Sequence, residues 1–150
     1  MGRLVAALLL VLASAFSGRA QGFPDLQLEK DPWTKSQLME PAVLAGILRD
    51  PKADKPLIYN IGLVDDIQGA IHMGGVSEKA NLERFRKAIS VLPKNSRVVV
   101  YCGCCPFSRC PNIRPAFRAL QAAGLKNGRL LHLPVNIKTD WISKGYPLAK

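Results

Sequence analysis

Four cysteines, Cys102, Cys104, Cys105 and Cys110, are the only ones in the chain and sit in one short segment, Tyr101-Cys102-Gly103-Cys104-Cys105-Pro106-Phe107-Ser108-Arg109-Cys110-Pro111-Asn112-Ile113-Arg114-Pro115. No bridge among them could close a loop longer than about nine residues, so they cannot staple a fold together. A cysteine directly after an apolar strand and before a helix lies where backbone N–H groups converge. That field, with arginines nearby, favours thiolate over thiol, and the thiolate is the nucleophile. Three chemistries fit the segment. The first is a nucleophilic cysteine in an anion-binding loop, with Cys102 favoured by its strand-end position, then Cys104, then Cys105. In that reading Arg109 assists the thiolate, and Gly103, Arg109 and Arg114 bind the substrate anion. The second is a soft-metal site, copper being the natural ion, on Cys102, Cys104, Cys105 and Cys110. The spacing C-x-C-C-x4-C matches neither the paired C-x2-C zinc pattern nor the haem-attachment motif. The third is one or more local disulfides, structural or redox-active, in which Cys104, Cys105 and Cys110 take part.

The surrounding sequence must deliver this loop. Arg97-Val98-Val99-Val100-Tyr101 is the strongest strand signal in the chain, and the cysteines follow at once. Leu57–Ile61 reads as a buried strand and Gly69–Met73 as a shorter one. Helices are expected from Ser36 to about Arg49, with Pro41 in the first turn, and from Ser77 through Leu82, Phe85 and Ile89. A third opens at Pro115 and is ended by Gly124. Arg129–Leu133 predicts another strand, and Thr139–Tyr146 a short helix with Trp141 turned into the core. Helix and strand alternation of this kind predicts an α/β fold, a small, mostly parallel central sheet flanked by helices on both faces. Ligands of such sheets sit at the carboxyl ends of the strands, where Cys102 would stand.

Residues 1–20 read as an address. Arg3 is followed by an uncharged run from Leu4 to Phe16 and then Ser17-Gly18-Arg19-Ala20. The run is shorter than the roughly 20 residues of a membrane span, so a cleaved signal peptide is expected, with export to a bacterial periplasm and no membrane attachment afterwards. Residues 21–37 are then a polar lead-in, and 38–150 the domain. Removing Arg3 and Arg19 leaves +8 of the formal +10. Export and the absence of a basic stretch interleaved with aromatics exclude nucleic acid as the partner. Small anions or an acidic partner protein fit the charge. Lys79, Arg84, Arg86 and Lys87 are expected on a solvated helix face, and His72 and His132 as hydrogen-bonded, half-buried side chains.

Taken in order, several strings resemble the rhodanese-like domain family over 38–148. The opening strand Leu57–Ile61, the string Asp66-Ile67-Gln68-Gly69-Ala70-Ile71-His72, the strand running into Cys102, Leu120 with Gly124, and Trp141 with Gly145-Tyr146-Pro147 carry the likeness. Asn60 and Gly62 stand where the family usually has Asp and Arg. The loop from Cys102 to Arg109 is longer than usual, and counting from Cys104 restores the usual length. The resemblance implies a sulfurtransferase that moves sulfane sulfur through a cysteine persulfide. It also implies an anionic donor such as thiosulfate, a thiol or cyanide acceptor, and no cofactor beyond the persulfide.

Overall fold

In this computed structural model residues 31–150 are described; the expected signal peptide and residues 21–30 of the lead-in lie outside them. Five strands, β1 (Leu38–Met39), β2 (Leu57–Asn60), β3 (Ala70–His72), β4 (Val98–Tyr101) and β5 (Gly128–Leu131), form one sheet in the order β1-β5-β4-β2-β3. Every neighbouring pair runs parallel. Four helices accompany them: α1 (Pro41–Arg49), α2 (Lys79–Ser90), α3 (Ile113–Ala122) and α4 (Ile137–Asp140). The expected α/β class, with a parallel sheet covered on both faces, is what the chain adopts.

The run of valines explains the middle of the sheet. A central parallel strand is buried on both faces and therefore reads as continuously apolar; all four residues of β4 are buried. Alternation divides them. Val98 and Val100 pack with Phe85 and Ile89 of α2 and Phe117 and Leu120 of α3. Val99 and Tyr101 pack with Leu44 and Leu48 of α1 and with Ile137 and Trp141.

Several boundaries differ from expectation, each for a local reason. The first helix does not start at Ser36. Residue Glu40 precedes a proline, which disfavours helical backbone there, and it is extended at φ −71°, ψ 141°. Leu38 and Met39 instead pair with Leu130 and Leu131 as an edge strand, and Pro41 is the first residue of α1. Helix α2 is capped at Glu78, not Ser77, because the Ser77 amide donates to Asn112 Oδ1 at 2.8 Å. Helix α3 begins before Pro115, since the first-turn N–H groups have no helical partner and the missing donor costs nothing. Gly124, at φ +68°, ends it: Leu125 N bonds Leu120 O and Gly124 N bonds Gln121 O, the Schellman arrangement. Strand β5 stops at Leu131, and the last helix starts at Ile137 because Asn136 caps it by accepting from Thr139 N at 2.8 Å. Trp141 is fully buried, as expected, and donates Nε1–H to Pro147 O at 3.0 Å.

The segment from Asp31 to Gln37 belongs to the same compact unit. Trp33 lies edge-on to Phe107 at 5.4 Å and Phe117 at 5.8 Å. No helix among the described residues is long and apolar enough to cross a membrane.

Candidate functional site: a thiol cluster at the carboxyl edge of the sheet

Tyr101 O accepts from Ile61 N at 2.8 Å, the last rung between β4 and the chain leaving β2. The next residue, Cys102, points to the α2/α3 side and is only 1% exposed. Gly103 then takes φ +72°. A Cβ there would lie 2.8 Å from Ile137 Cβ and 3.0 Å from Leu133 Cδ1, so only glycine allows the chain to turn this close to the start of α4. Gly103 O also accepts from Ile137 N at 2.9 Å. Beyond the turn, Cys104 is exposed and Cys105 half-buried. The 3-10 turn Phe107–Arg109 is anchored by buried Phe107, whose ring also meets His132 edge-on at 5.0 Å. Cys110 returns to the interior at 2% exposure.

The result is a cluster of sulfurs. Cys102 Sγ and Cys104 Sγ are 3.1 Å apart, and Cys104 Sγ lies 3.5 Å from Cys105 Sγ. Cys102, Cys104 and Cys110 have their Sγ atoms all within 4.8 Å of one another. All four cysteines are free thiols. Asn112, buried before α3, donates Nδ2–H to Cys102 Sγ at 3.2 Å. On the other side a Cβ at Gly62 would stand 2.7 Å from that sulfur, so the absence of a side chain at 62 makes the room that Cys102 Sγ fills.

This surrounding pushes the Cys102 thiol down to about 5. The largest cause is the Cys110 S–H donating to it. Burial opposes, and the Cys104 N–H, the Cys104 S–H and Asn112 all add to the lowering. The neighbours move the other way. Burial first, then donation to Cys102 and repulsion from its charge, push Cys104 up to about 12. Cys110 is raised because its proton is held against Cys102, then by burial. Like charges this close do not ionise together, so the three sulfurs hold one negative charge, on Cys102. The stabilisation comes from hydrogen-bond donors and not from the arginines that the sequence suggested.

Arg114 is committed elsewhere: it ion-pairs with Asp31, sits over the Trp33 ring at 5.4 Å and donates to Ser108 O, fastening the lead-in. Arg109, in contrast, is exposed on the 3-10 turn of the cysteine loop, and among the described residues its side chain makes no hydrogen bond or ion pair. His132 approaches Glu40 at 3.5 Å and His72 approaches Asp66 at 3.0 Å; neither joins the thiols.

Asn112 is the site residue that sequence reasoning missed. Pro111-Asn112 before an apolar run is a helix-cap signature. The side chain makes no cap hydrogen bond in α3 and bridges Ser77 N and Cys102 Sγ instead. A groove of about 520 Å³ at the amino ends of β2, β4 and β5, lined by Val43, Ile47, Pro56, Arg97 and Val98 among others, contains none of the cysteines. No protein-family model matches the chain, and no curated protein matches it.

Proposed function

We propose that the protein is an exported sulfurtransferase of rhodanese-like type, moving sulfane sulfur through a persulfide on Cys102. The observation that supports this most is the buried sulfur of Cys102 at the carboxyl end of the central strand, 3.2 Å from the Asn112 donor and 3.1 Å from the sulfur of exposed Cys104. A stabilised thiolate is the form that attacks sulfane sulfur. With thiosulfate as donor, Cys102 Sγ bonds to the outer sulfur, the sulfur–sulfur bond of the donor breaks, and sulfite leaves with the electron pair. A thiol or cyanide then takes the sulfur. Arg109, exposed on the same loop and without an ion-pair partner among the described residues, is the residue we assign to the anionic donor; Arg114, already paired, acts as a structural clamp. The formal charge, +10 for the whole chain and lower by the two arginines of residues 1–20 after export, draws small anions toward the molecule. Export rests on the reading of residues 1–20.

Thiosulfate:cyanide and thiosulfate:thiol assays on single Cys→Ser variants test the reading. Activity should fall to background in Cys102→Ser and persist in Cys105→Ser. Full activity in Cys102→Ser overturns the assignment.

One observation supports a second reading, a soft-metal module. Three sulfurs within 4.8 Å of one another match the number and softness of ligands that Cu(I) accepts. Metal analysis of protein purified from its native compartment separates the two. Stoichiometric copper favours the module, and a metal-free persulfide favours the transferase.

A further inference from the structure

We propose that Cys104 is the resolving thiol of this site: after Cys102 is loaded, Cys104 attacks Cys102 Sγ, releasing the carried sulfur as sulfide and closing a Cys102–Cys104 disulfide. The inference rests on the persulfide reading above. It names the fate of the sulfur when no external acceptor intervenes.

The step balances within the loop. The Cys102 persulfide and the Cys104 thiol give the disulfide and hydrogen sulfide. A bond forms between the two Sγ atoms, and the bond from Cys102 Sγ to the outer sulfur breaks. The outer sulfur takes the electron pair and receives the Cys104 proton. Over loading and resolution together, the donor's sulfane sulfur is reduced to sulfide and the thiol pair is oxidised to a disulfide. A dithiol reductant returns the pair to thiols by exchange.

Three observations carry it. First, the two sulfurs are 3.1 Å apart before any reaction, so Cys104 needs only a small approach to bond Cys102 Sγ. Residues i and i+2 of an extended strand lie about 6.6 Å apart; here the left-handed Gly103, at φ +72°, turns the chain between them. Second, exposure divides the labour. Cys102 and Cys110 are 1% and 2% exposed, and Cys104 is exposed. A Cys102–Cys110 bridge would be sealed from any reductant, while one to Cys104 stands at the surface where exchange can occur. Third, burial first, and then the hydrogen bond to Cys102 and the charge on it, hold Cys104 protonated; loading takes that charge off Cys102 Sγ and so relaxes the part of the restraint that Cys102 imposes.

The test uses the reduced full-length chain, without oxygen, and thiosulfate as the probe, followed by sulfide detection and intact mass. The wild type should release about one sulfide per chain with no added thiol and end two hydrogens lighter. Cys104→Ser should keep one extra sulfur atom and release no sulfide; Cys105→Ser should behave as wild type. Trypsin cuts after Arg97 and Arg109, so a Cys102–Cys104 bridge stays within one peptide while a Cys102–Cys110 bridge joins two. A joined pair of peptides overturns the assignment of Cys104. A wild type that retains the extra sulfur and yields sulfide only on adding thiol overturns resolution and leaves sulfur transfer standing. Failure of both wild type and Cys104→Ser to take up sulfur overturns the persulfide reading and this inference with it.

Discussion

At the carboxyl edge of one sheet, β4 and β2 end in two polar clusters one residue apart in register: Asn60 pairs with Tyr101, and Cys102 comes next. The strand pleat sends them to opposite faces. Asn60 follows Ile58 toward the α1 side, and Cys102 follows Val98 and Val100 toward α2 and α3. The Asn60 cluster is closed. Its Nδ2 donates to Val64 O and Asp66 Oδ1, each at 2.8 Å, and its Oδ1 accepts Gly62 N at 3.0 Å. His72 Nδ1 completes the set at 3.0 Å from Asp66. Donors meet acceptors there, and the polar groups are used in tying the 61–66 turn to β2 and β3. The thiol cluster gathers a negative charge without an ion-pair partner among the described residues, holds it with donors, and leaves a second sulfur exposed beside it. Groups spent on one another build structure; a charge stabilised without a counter-charge is available for reaction.

The widest expected difference between the clusters is in their response to pH. Cys102 falls from the ordinary thiol value near 8.5 in the unfolded chain to about 5 when folded. A depressed acid adds stability that is full above the unfolded value and is lost as pH drops toward the folded one. Cys104, raised to about 12, has the opposite sign: its contribution is full below the ordinary thiol value and is lost as pH climbs toward 12. The reduced protein should therefore be most stable near pH ~8.5 with respect to its thiols. Relative to Cys102→Ser, the wild type should lose on the order of 4 kcal/mol between that pH and about 5. Urea midpoints of both proteins across this range, under reductant, measure the difference; a constant gap would show that Cys102 is not a thiolate.

Gly62 belongs to both clusters, since its N–H binds Asn60 and its Cα faces Cys102. Gly62→Ala places a methyl group 2.7 Å from Cys102 Sγ and 3.0 Å from Cys102 O, an overpacking against backbone that should cost about 1–3 kcal/mol. A denaturation midpoint equal to wild type would show that the sulfur is not wedged there.

Asn112→Asp replaces the donor with an ionisable acceptor. The carboxylate can still accept from Ser77 N, as Asn112 Oδ1 does at 2.8 Å, but it presents an acceptor to Cys102 in place of Nδ2–H. Losing a hydrogen bond to a charged group costs about 1.5 kcal/mol or more, and a carboxylate this close to the thiolate adds like-charge repulsion, so the Cys102 thiolate pKa should rise by more than about one unit. The pH profile of thiolate absorbance or iodoacetamide reaction reads this directly; an unmoved profile would remove Asn112 from the site.

The architecture was legible because it is written in strong local terms: three valines for β4, Gly124 for the end of α3, Trp141 for the core. The position of the cysteines followed from the strand. What stabilises Cys102 was not legible. Arginines close in sequence suggested Coulomb support, yet Arg114 is drawn to Asp31 and Trp33, residues far away along the chain. The donors that matter, Asn112 and Cys110, reach Cys102 only because the loop folds back through Phe107, and no spacing rule encodes that return. Edge strand β1 was hidden for a related reason. Two residues, Leu38 and Met39, carry no periodicity of their own and become a strand only through their pairing with β5.

The smallest expected effect is on the other cluster, and it is the sharpest check on the comparison. For Asp66, burial would raise the carboxyl pKa, but hydrogen bonds from Asn60 and His72 and the His72 charge outweigh it and hold the group below its usual range. The pair is largely exposed, with side chains 32% and 45% accessible, and solvent screens such pairs to about 0–1 kcal/mol. Asp66→Asn keeps an oxygen for Asn60 Nδ2 and removes the charge. It should lower stability by less than about 1 kcal/mol and leave the Cys102 pH profile where it was. Asp66 lies on the far face of β2, and its hydrogen-bonded route to the sulfur runs through Asn60 and the Gly62 amide, a contact the substitution preserves. A shift of the Cys102 profile in Asp66→Asn would mean that the two clusters act as one site across the sheet edge, with the closed network setting the charge of the open one.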